Sequence, residues 1–212
     1  MTHTHDATLA HPELAEDAAV RQAEPAMLAR LAVRRSPPLR SLGGPGPTAV
    51  ELETLLTLGL RVPDHGRLEP WRILLLDGAA RGEAGERLDA LYAAQNPGLP
   101  AAKATMWRDY LERAPLVLAV VSRPDPASTI PVFHQELSAG ALAMNLAVAA
   151  AALGFACQWL LKWPGRDPEA LALLGVGDGE RVAGFLHVGR PTVAVPDRPR
   201  PDLAAVVSRW RP

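Results

Sequence analysis

Residues His134–Leu153 read HQELSAGALAMNLAVAAAAL, and the fold of this chain is best approached from this stretch. After Glu136 it is almost uniformly apolar, and Asn145 is the only polar side chain between residues 139 and 156. Ala, Leu and Met are strong helix formers and no proline interrupts the run, so it predicts a helix about 30 Å long. A helix that is apolar all round is buried all round. We therefore expect a central core helix that also meets a second subunit.

A membrane span is the alternative interpretation of so apolar a helix. Alanine is only weakly apolar, and the segment lacks the flanking Lys and Arg residues that accompany membrane spans. Gly140 and the many alanines would let another helix approach closely. We interpret the segment as a core helix and predict no membrane role.

The composition is that of an ordinary globular chain of 212 residues, with 48% hydrophobic and 21% charged residues. A formal net charge of −1 gives no basic surface for nucleic acid or for a membrane. The single cysteine, Cys157, excludes an intrachain disulfide or zinc knuckle and fits a reducing compartment. The N-terminus lacks the basic-then-apolar order of a signal peptide, so we expect a cytoplasmic location.

Residues Met1–Glu24 are polar, Ala-rich and weakly patterned, and we interpret them as a flexible tail. Three histidines and an aspartate in this tail resemble a loose metal site. Because no helix or turn fixes their spacing, a solvated tail is the better interpretation, and no metal site is predicted. Residues 25–212 are predicted to form a single domain.

Apolar spacing, caps and breakers predict an alternation of helices and strands. Besides the central helix, predicted helices are Pro25–Val33, Thr48–Leu60, Ala80–Ala94, Lys103–Arg113 and Glu169–Leu174. Predicted strands are Arg72–Asp77, Pro115–Ser122, Phe155–Leu161 and Arg181–Val188, of which the first two are predicted to be buried. Residues 39–47 are predicted as a Gly/Pro loop, and Asp202–Trp210 as either a helix or an extended arm. Few, widely separated strands among helices indicate the α+β class.

Two glycine-rich stretches lack the context of a nucleotide-binding motif. Gly175-x-Gly177-x-Gly179 precedes a strand instead of joining a strand to a helix, so we interpret it as a plain turn. Residues 41–45 lack the Lys-Ser/Thr of a P-loop. No serine nucleophile elbow and no His-x-x-x-His pair is present.

Two polar clusters remain as candidate sites. Arg34-Arg35-Ser36 follows a predicted helix and sets two guanidinium groups beside a hydroxyl, which can clamp a phosphate. Arg61–His65 lies in a proline-punctuated loop before a predicted strand, where sites are common. Taken alone, the first is more simply a surface arginine pair, and the histidine is as readily a structural hydrogen-bonding group.

Together these segments resemble the FMN-dependent nitroreductase family, in particular its small YdjA-like branch. The resemblance covers roughly Leu28–Pro191. It rests on five segments in a common order and spacing: Arg34–Ser36, Arg61–Trp71, Gln135–Leu146, Leu153–Trp159 and Gly184–Pro191. It implies an α+β nitroreductase-like fold, in which helices flank a central mixed or antiparallel sheet. It also implies a homodimer with the long central helix buried at its interface.

The resemblance implies where FMN would bind. In the family the Arg-Arg-Ser element binds the phosphate and ribityl chain, a role that falls to Arg34, Arg35 and Ser36. Arg61 and His65 match positions that contact FMN from the other subunit.

Further contacts follow from the same resemblance. Trp159, Leu160 and Leu161 match the strand that lines the flavin, largely through backbone, although close relatives carry a polar pair after this tryptophan. Arg190, in the Gly-x-Pro turn, is a candidate phosphate contact. Gln135 and Glu136 lie where the family contacts nicotinamide.

The implied activity is ping-pong transfer from NADH or NADPH through FMN to a nitroaromatic, a quinone or a similar small electron acceptor. The flavin supplies this chemistry, so no catalytic side chain is predicted. Trp107 and Tyr110 fall in the family's variable lid region, where ordinary packing aromatics are an equal alternative.

Two other functions stay open. One is a flavin-binding or flavin-modifying protein on the same fold, with little nitroreductase activity. The other is a dimeric module that has lost its flavin, against which the intact arginine pair and His65 argue.

Overall fold

The computed structural model describes residues 23–211, and its helices and strands follow the predicted order. The helices are α1 (Pro25–Val33), α2 (Ala49–Gly59), α3 (Ala80–Gln95), α4 (Met106–Glu112), α5 (Val132–Ala152), α6 (Pro168–Leu173) and α7 (Leu203–Val206). The strands are β1 (Leu42–Gly43), β2 (Trp71–Asp77), β3 (Leu116–Ser122), β4 (Ala156–Leu160) and β5 (Arg181–Pro191). Short 3₁₀ turns lie at Leu39–Ser41, Ala101–Lys103 and Trp163–Gly165. The tail predicted over residues 1–24, with its histidines, lies outside the described residues except for its last two.

The sheet is built around β5, which pairs with β1, β3 and β4, while β2 pairs with β3. Each of these pairings is antiparallel, so of the two predicted sheet types the antiparallel one is found. The prediction that the last strand ends at Val188 was wrong. The strand continues through Pro191 because β1 and β4 pair with its final residues. Gly189 permits this, since a Cβ there would lie 2.9 Å from the carbonyl oxygen of Gly43.

Both faces of the sheet are covered, because alternate side chains of a strand point to opposite faces. Leu118 and Val120 belong to the core beneath α5. Val117, Ala119 and Val121 belong to the core that faces α3 and α4. This two-sided burial explains why β3 reads as an uninterrupted apolar run.

β2 is an edge strand rather than the buried strand that the sequence predicted. It pairs with β3 on one side, and the described part of the chain offers no strand for its other side. Leu76 is buried, but Leu75 is 37% exposed. The apolar run therefore predicted correctly that these residues form a strand, but it did not predict that the strand lies at the edge of the sheet.

The central helix α5 buries most of its length but leaves an apolar stripe exposed. Leu137 is 56% and Met144 41% exposed, and Phe133 continues the same face one turn earlier. Residues at these spacings lie on one side of a helix. The prediction of burial all round is thus wrong for a single chain, and what remains open is an apolar surface.

The described helices include none that is long and apolar enough to cross a membrane. Likewise, His, Cys, Asp and Glu side chains in residues 23–211 form no group of three or more that could hold a metal ion.

Candidate functional site

A cavity of about 260 Å³ lies where α1 ends against the last turns of α5 and the start of β4. Its lining is partly basic and partly apolar. The basic residues are Arg30, Arg34 and Arg35. The other lining residues include Ala147, Ala151, Phe155, Ala156, Cys157 and the segment that follows β5. The cavity therefore offers both positive charge and apolar surface.

The Arg34-Arg35-Ser36 segment directly follows α1 and carries hydrogen-bond donors that the described residues use only in part. A guanidinium nitrogen of Arg34 donates to the hydroxyl of Ser36 over 3.3 Å. The Nε of Arg35 is buried, and no acceptor in residues 23–211 reaches it. A buried donor without a partner is costly, and guanidinium groups bind phosphate oxygens well. These residues therefore fit an anionic ligand.

A second cavity of about 270 Å³ lies on the other side of the same arginines. Asp197 closes it, with a carboxylate oxygen 3.7 Å from a guanidinium nitrogen of Arg35. The backbone N–H of Arg198 and the guanidinium of Arg200 keep the pKa of Asp197 below its usual value. This long, exposed ion pair is weak, so Asp197 competes little for Arg35.

Cys157 lines the first cavity but is not a nucleophile. Burial raises the pKa of its thiol to about 12, although the charge of Arg34 opposes the shift. The thiol rather than the reactive thiolate is therefore present near neutral pH. Its role at the cavity is that of a small apolar lining group.

Arg190 is engaged within the chain. Its guanidinium donates to the carbonyl oxygens of Leu153 and Gly154 over 3.4 and 3.2 Å and lies 3.8 Å from the ring centre of Phe155. It also donates to Glu51 over 3.3 Å. These contacts satisfy carbonyl groups that the end of α5 leaves free. A phosphate contact would have to share this guanidinium, and the role predicted for Arg190 stays a prediction.

Trp159 shapes the exposed side of β4. Its indole N–H donates to the carbonyl oxygen of Ala183 over 3.1 Å, and the ring lies directly on Gly184. Leu160 packs against the core facing α3 and α4, whereas Leu161 is partly exposed. β4 pairs through one edge only within the described residues, so outward backbone groups are available to a ligand.

Arg61 and His65 line neither of the two cavities that border Arg34 and Arg35. Both are exposed in the loop between α2 and β2. Within one chain, the structure therefore does not bring the two predicted halves of the FMN site together. This separation is expected if Arg61 and His65 contact the FMN that a second subunit binds, as the family resemblance predicts.

Three polar residues of α5 hold that loop, and the sequence predictions gave none of them a role. Asn145 donates to the carbonyl oxygens of Leu58, Gly59 and Arg61 over 2.8 to 3.1 Å. The hydroxyl of Ser138 donates to the carbonyl oxygen of Pro63 and accepts from the indole of Trp71. His134 contacts His65. Their polarity within an apolar helix was the signal that could have found them.

Residues 31–190 match the sequence profile of the Nitroreductase family, which covers most of the chain. The chain belongs to the nitroreductase family. Membership makes it an oxidoreductase and confirms the resemblance inferred from the sequence.

Individual relatives of this nitroreductase agree. It is 31% identical over 163 residues to the Escherichia coli K12 protein named "Putative NAD(P)H nitroreductase YdjA", covering 74% of this chain and 87% of that one. The structure of a nitroreductase-like family protein from Bacillus cereus matches with a TM-score of 0.76 at 21% identity, covering 90% of this chain and 99% of that chain. A Bacteroides fragilis nitroreductase solved with bound FMN matches with a TM-score of 0.63 at 20% identity, covering 89% and 100%. The predicted α+β nitroreductase-like fold is therefore confirmed.

Gln135 and Glu136, the residues predicted near nicotinamide, already have polar partners within this nitroreductase chain. The buried amide of Gln135 bonds both backbone groups of Asp125 and the carbonyl oxygen of Ile130. Glu136 forms an ion pair with Arg181 at 3.1 Å. Gln135 thus closes the loop before α5, and a ligand at Glu136 would have to share its carboxylate with Arg181.

Trp107 and Tyr110, predicted for a variable lid, are buried in the core facing α3 and α4. The rings of Tyr92 and Trp163 pack around Trp107 at centroid distances of 5.4 and 5.1 Å. Of the two interpretations given above, ordinary packing aromatics fits these positions.

Proposed function

We propose that this nitroreductase is an FMN-dependent NAD(P)H oxidoreductase that reduces a nitroaromatic, a quinone or a similar small acceptor. The observation that carries the proposal is the buried, unpartnered Nε of Arg35, a residue that lines the 260 Å³ cavity together with Arg34 and is followed directly by Ser36. The FMN bound in the Bacteroides fragilis relative and the NAD(P)H in the name of the Escherichia coli relative support it.

Each part of the site has a task toward the cofactor. Arg34, Arg35 and Ser36 would hold the phosphate and ribityl chain through charge-assisted hydrogen bonds. The backbone of Trp159, Leu160 and Leu161 would line the ring system. When bound, FMN supplies hydride and electron transfer in alternate half-reactions with the nicotinamide and the acceptor. The chain therefore needs no side-chain acid or base for the transfer itself.

The active form in this proposal is a homodimer. The exposed apolar stripe of α5 supports it, because a stripe of this kind on a long helix marks an interaction surface. Every residue of α1 is also exposed in the single chain, including Met27 and Leu31. Pairing two chains would bring Arg61 and His65 of one protomer to the FMN of the other. The cytoplasmic location stays a prediction from the sequence.

The test is an absorbance spectrum of the purified protein after FMN is added and the excess removed. About one FMN per chain, bleached anaerobically by NADH or NADPH, is the expected result. Arg35→Ala should lose flavin, whereas the control Arg87→Ala, an exposed arginine of α3 that borders neither cavity, should retain it.

Other outcomes contradict parts of the proposal. Flavin that binds but is not bleached would favour the flavin-binding or flavin-modifying alternative. A folded protein that retains no flavin would overturn the site assignment, and equal flavin content in the two arginine variants would remove Arg35 from the site.

A further inference from the structure

Two exposed imidazole rings meet where the loop before β2 touches the first turn of α5. The Nδ1 atoms of His65 and His134 lie 3.1 Å apart, which is a hydrogen-bonding distance. The ring centres are 5.4 Å apart, with the planes inclined by 29°. Residues 23–211 provide no third side chain that would complete a metal site around them. The contact is therefore a hydrogen bond between two imidazoles.

The backbone around His65 is held on both sides, so the pair does not depend on a loose loop. His134 and Ser138 are four residues apart on α5 and share one face of the helix. The hydroxyl of Ser138 donates to the carbonyl oxygen of Pro63 over 2.8 Å. On the other side, Gly66 adopts a φ of +80° and lies against Ile130. The freedom left to His65 is the rotation of its ring and the choice of its tautomer.

The hydrogen bond constrains where the protons lie. A neutral imidazole has one N–H donor and one bare nitrogen acceptor. Because the contact joins two Nδ1 atoms, one ring carries its proton on Nδ1 and the other on Nε2. When His134 donates, the Nε2 of His65 bears a hydrogen and becomes a donor. A flavin mononucleotide offers carbonyl and phosphate oxygens, which need donors.

We propose that His134 is a positioning residue for the FMN site. Its Nδ1–H donates to Nδ1 of His65, which fixes the ring of His65 and makes its Nε2–H a donor to FMN across the subunit interface. This inference rests on the proposed function, and it adds a residue that the family resemblance did not assign to the cofactor. His134 acts only through His65 and does not itself touch FMN.

The first test needs no FMN. In ¹⁵N-labelled protein at about pH 8.5, where histidines are neutral, long-range ¹H–¹⁵N spectra report the tautomer of each ring. We expect His134 to carry its proton on Nδ1, with a coupling to Nδ1 of His65 across the hydrogen bond. The variant His65→Phe should return His134 to the Nε2–H tautomer that prevails in water. His134 found as the Nε2–H tautomer in the wild type would overturn the proposal.

The second test is a double-mutant cycle on the dissociation constant of FMN, measured by quenching of flavin fluorescence. His134→Phe should weaken FMN binding about three- to tenfold, as expected for one hydrogen bond of ordinary strength. The same substitution should have no further effect in the His65→Phe background. His134→Asn should restore much of the affinity, because its amide N–H can stand near the position of Nδ1. Thr129→Val, at an exposed residue of the preceding loop, is the control.

The outcomes separate two kinds of failure. If the wild type does not bind FMN, the proposed function is overturned, and the contact proposed here with it. If FMN binds but the effects of the two histidine substitutions simply add, only the role of His134 is overturned. If His134→Phe loses FMN affinity and His134→Asn does not restore it, the effect comes from packing of the ring. That result also overturns the proposed role of His134.

Discussion

The carboxylate of Glu180 accepts two hydrogen bonds from the guanidinium of Arg72, at 2.8 Å from Nε and 2.6 Å from a terminal nitrogen. The same guanidinium donates to the carbonyl oxygen of Gly175, and Glu180 accepts from the N–H of Gly177. This bidentate ion pair, the Arg72–Glu180 fork, therefore connects the edge strand β2 to the turn that leads into β5. The glycine-rich stretch that superficially resembles a dinucleotide motif is a turn held by this ion pair.

Removing this fork should lower stability in a pH-dependent way. The hydrogen bonds from Arg72 are the main reason that the pKa of Glu180 falls to about 2. Because the folded-state pKa is depressed, the stabilisation is present above the normal glutamate pKa and is lost as the pH falls towards 2. Glu180→Gln should lower the free energy of unfolding at neutral pH by about 1 kcal/mol, since both groups are partly exposed.

Urea unfolding followed by circular dichroism would measure this change. Asp178→Asn is the matched control, because Asp178 lies exposed in the same turn. An equal decrease in the free energy of unfolding in the two variants would show that the fork adds no stability beyond the effect of charge in the turn.

The elements that the sequence predicted well are those whose signal is local. The apolar runs of α5 and β3 and the Thr48–Glu51 capping box of α2 all specify their own structure. The two-residue strand β1 was missed, because it is too short to show any periodicity and exists only through its pairing with β5. Whether an apolar strand is central or at an edge depends on partners distant in sequence, and for this reason β2 was misassigned.

The same distinction applies to the site. The Arg34-Arg35-Ser36 cluster is contiguous, so a phosphate clamp could be predicted there from the sequence alone. The partner of His134 lies 69 residues earlier, so no spacing rule connects the two histidines. His187 was given no role from the sequence, although a lone polar residue within an apolar strand is the same kind of signal as Asn145 within α5.

His187 should make the fold sensitive to mild acid. It is fully buried, neither ring nitrogen has a hydrogen-bond partner in the described residues, and the ring centre of Tyr110 is 4.5 Å away. Burial lowers its pKa to about 3. The unfolded chain therefore binds the proton first as the pH falls, and the stabilisation is complete above about pH 6.5 and lost towards pH 3.

The expected size of this effect is about 2 kcal/mol between about pH 7 and about pH 5, from the separation of the two pKa values. Urea unfolding of the wild type and of His187→Phe at both pH values measures it. The variant should lose this part of the pH dependence even if its absolute stability changes. An identical pH dependence in both proteins would show that the ring takes up its proton over the same pH range in the folded and in the unfolded chain.

Gly184 should not tolerate a side chain. A Cβ there would lie 1.9 Å from the indole nitrogen of Trp159, whose N–H bonds the adjacent carbonyl oxygen of Ala183. Gly184→Ala must displace the indole from β5, so we expect a loss of about 1–3 kcal/mol in the free energy of unfolding. We also expect weaker FMN binding, because β4 would lose its position against β5.

Gly177→Ala provides the comparison for this experiment. A Cβ at Gly177 would come no closer than 3.6 Å to Glu180, which is ordinary contact. Thermal unfolding and an FMN titration of both variants would test the prediction. Wild-type stability in Gly184→Ala would mean that Trp159 can leave Gly184 without cost.

Leu137 should couple dimer formation to cofactor binding. It is 56% exposed in the single chain, on the same face of α5 as Met144. Leu137→Lys would place a charge within the proposed interface, where its desolvation is costly. We expect a monomer in sedimentation velocity and, because Arg61 and His65 are proposed to reach FMN from the other protomer, at least a tenfold loss of FMN affinity, or about 1.4 kcal/mol.

Ala90→Lys, on the exposed face of α3, should change neither property. A dimeric Leu137→Lys would remove this stripe from the interface, and a folded monomer with full FMN affinity would refute contacts across subunits.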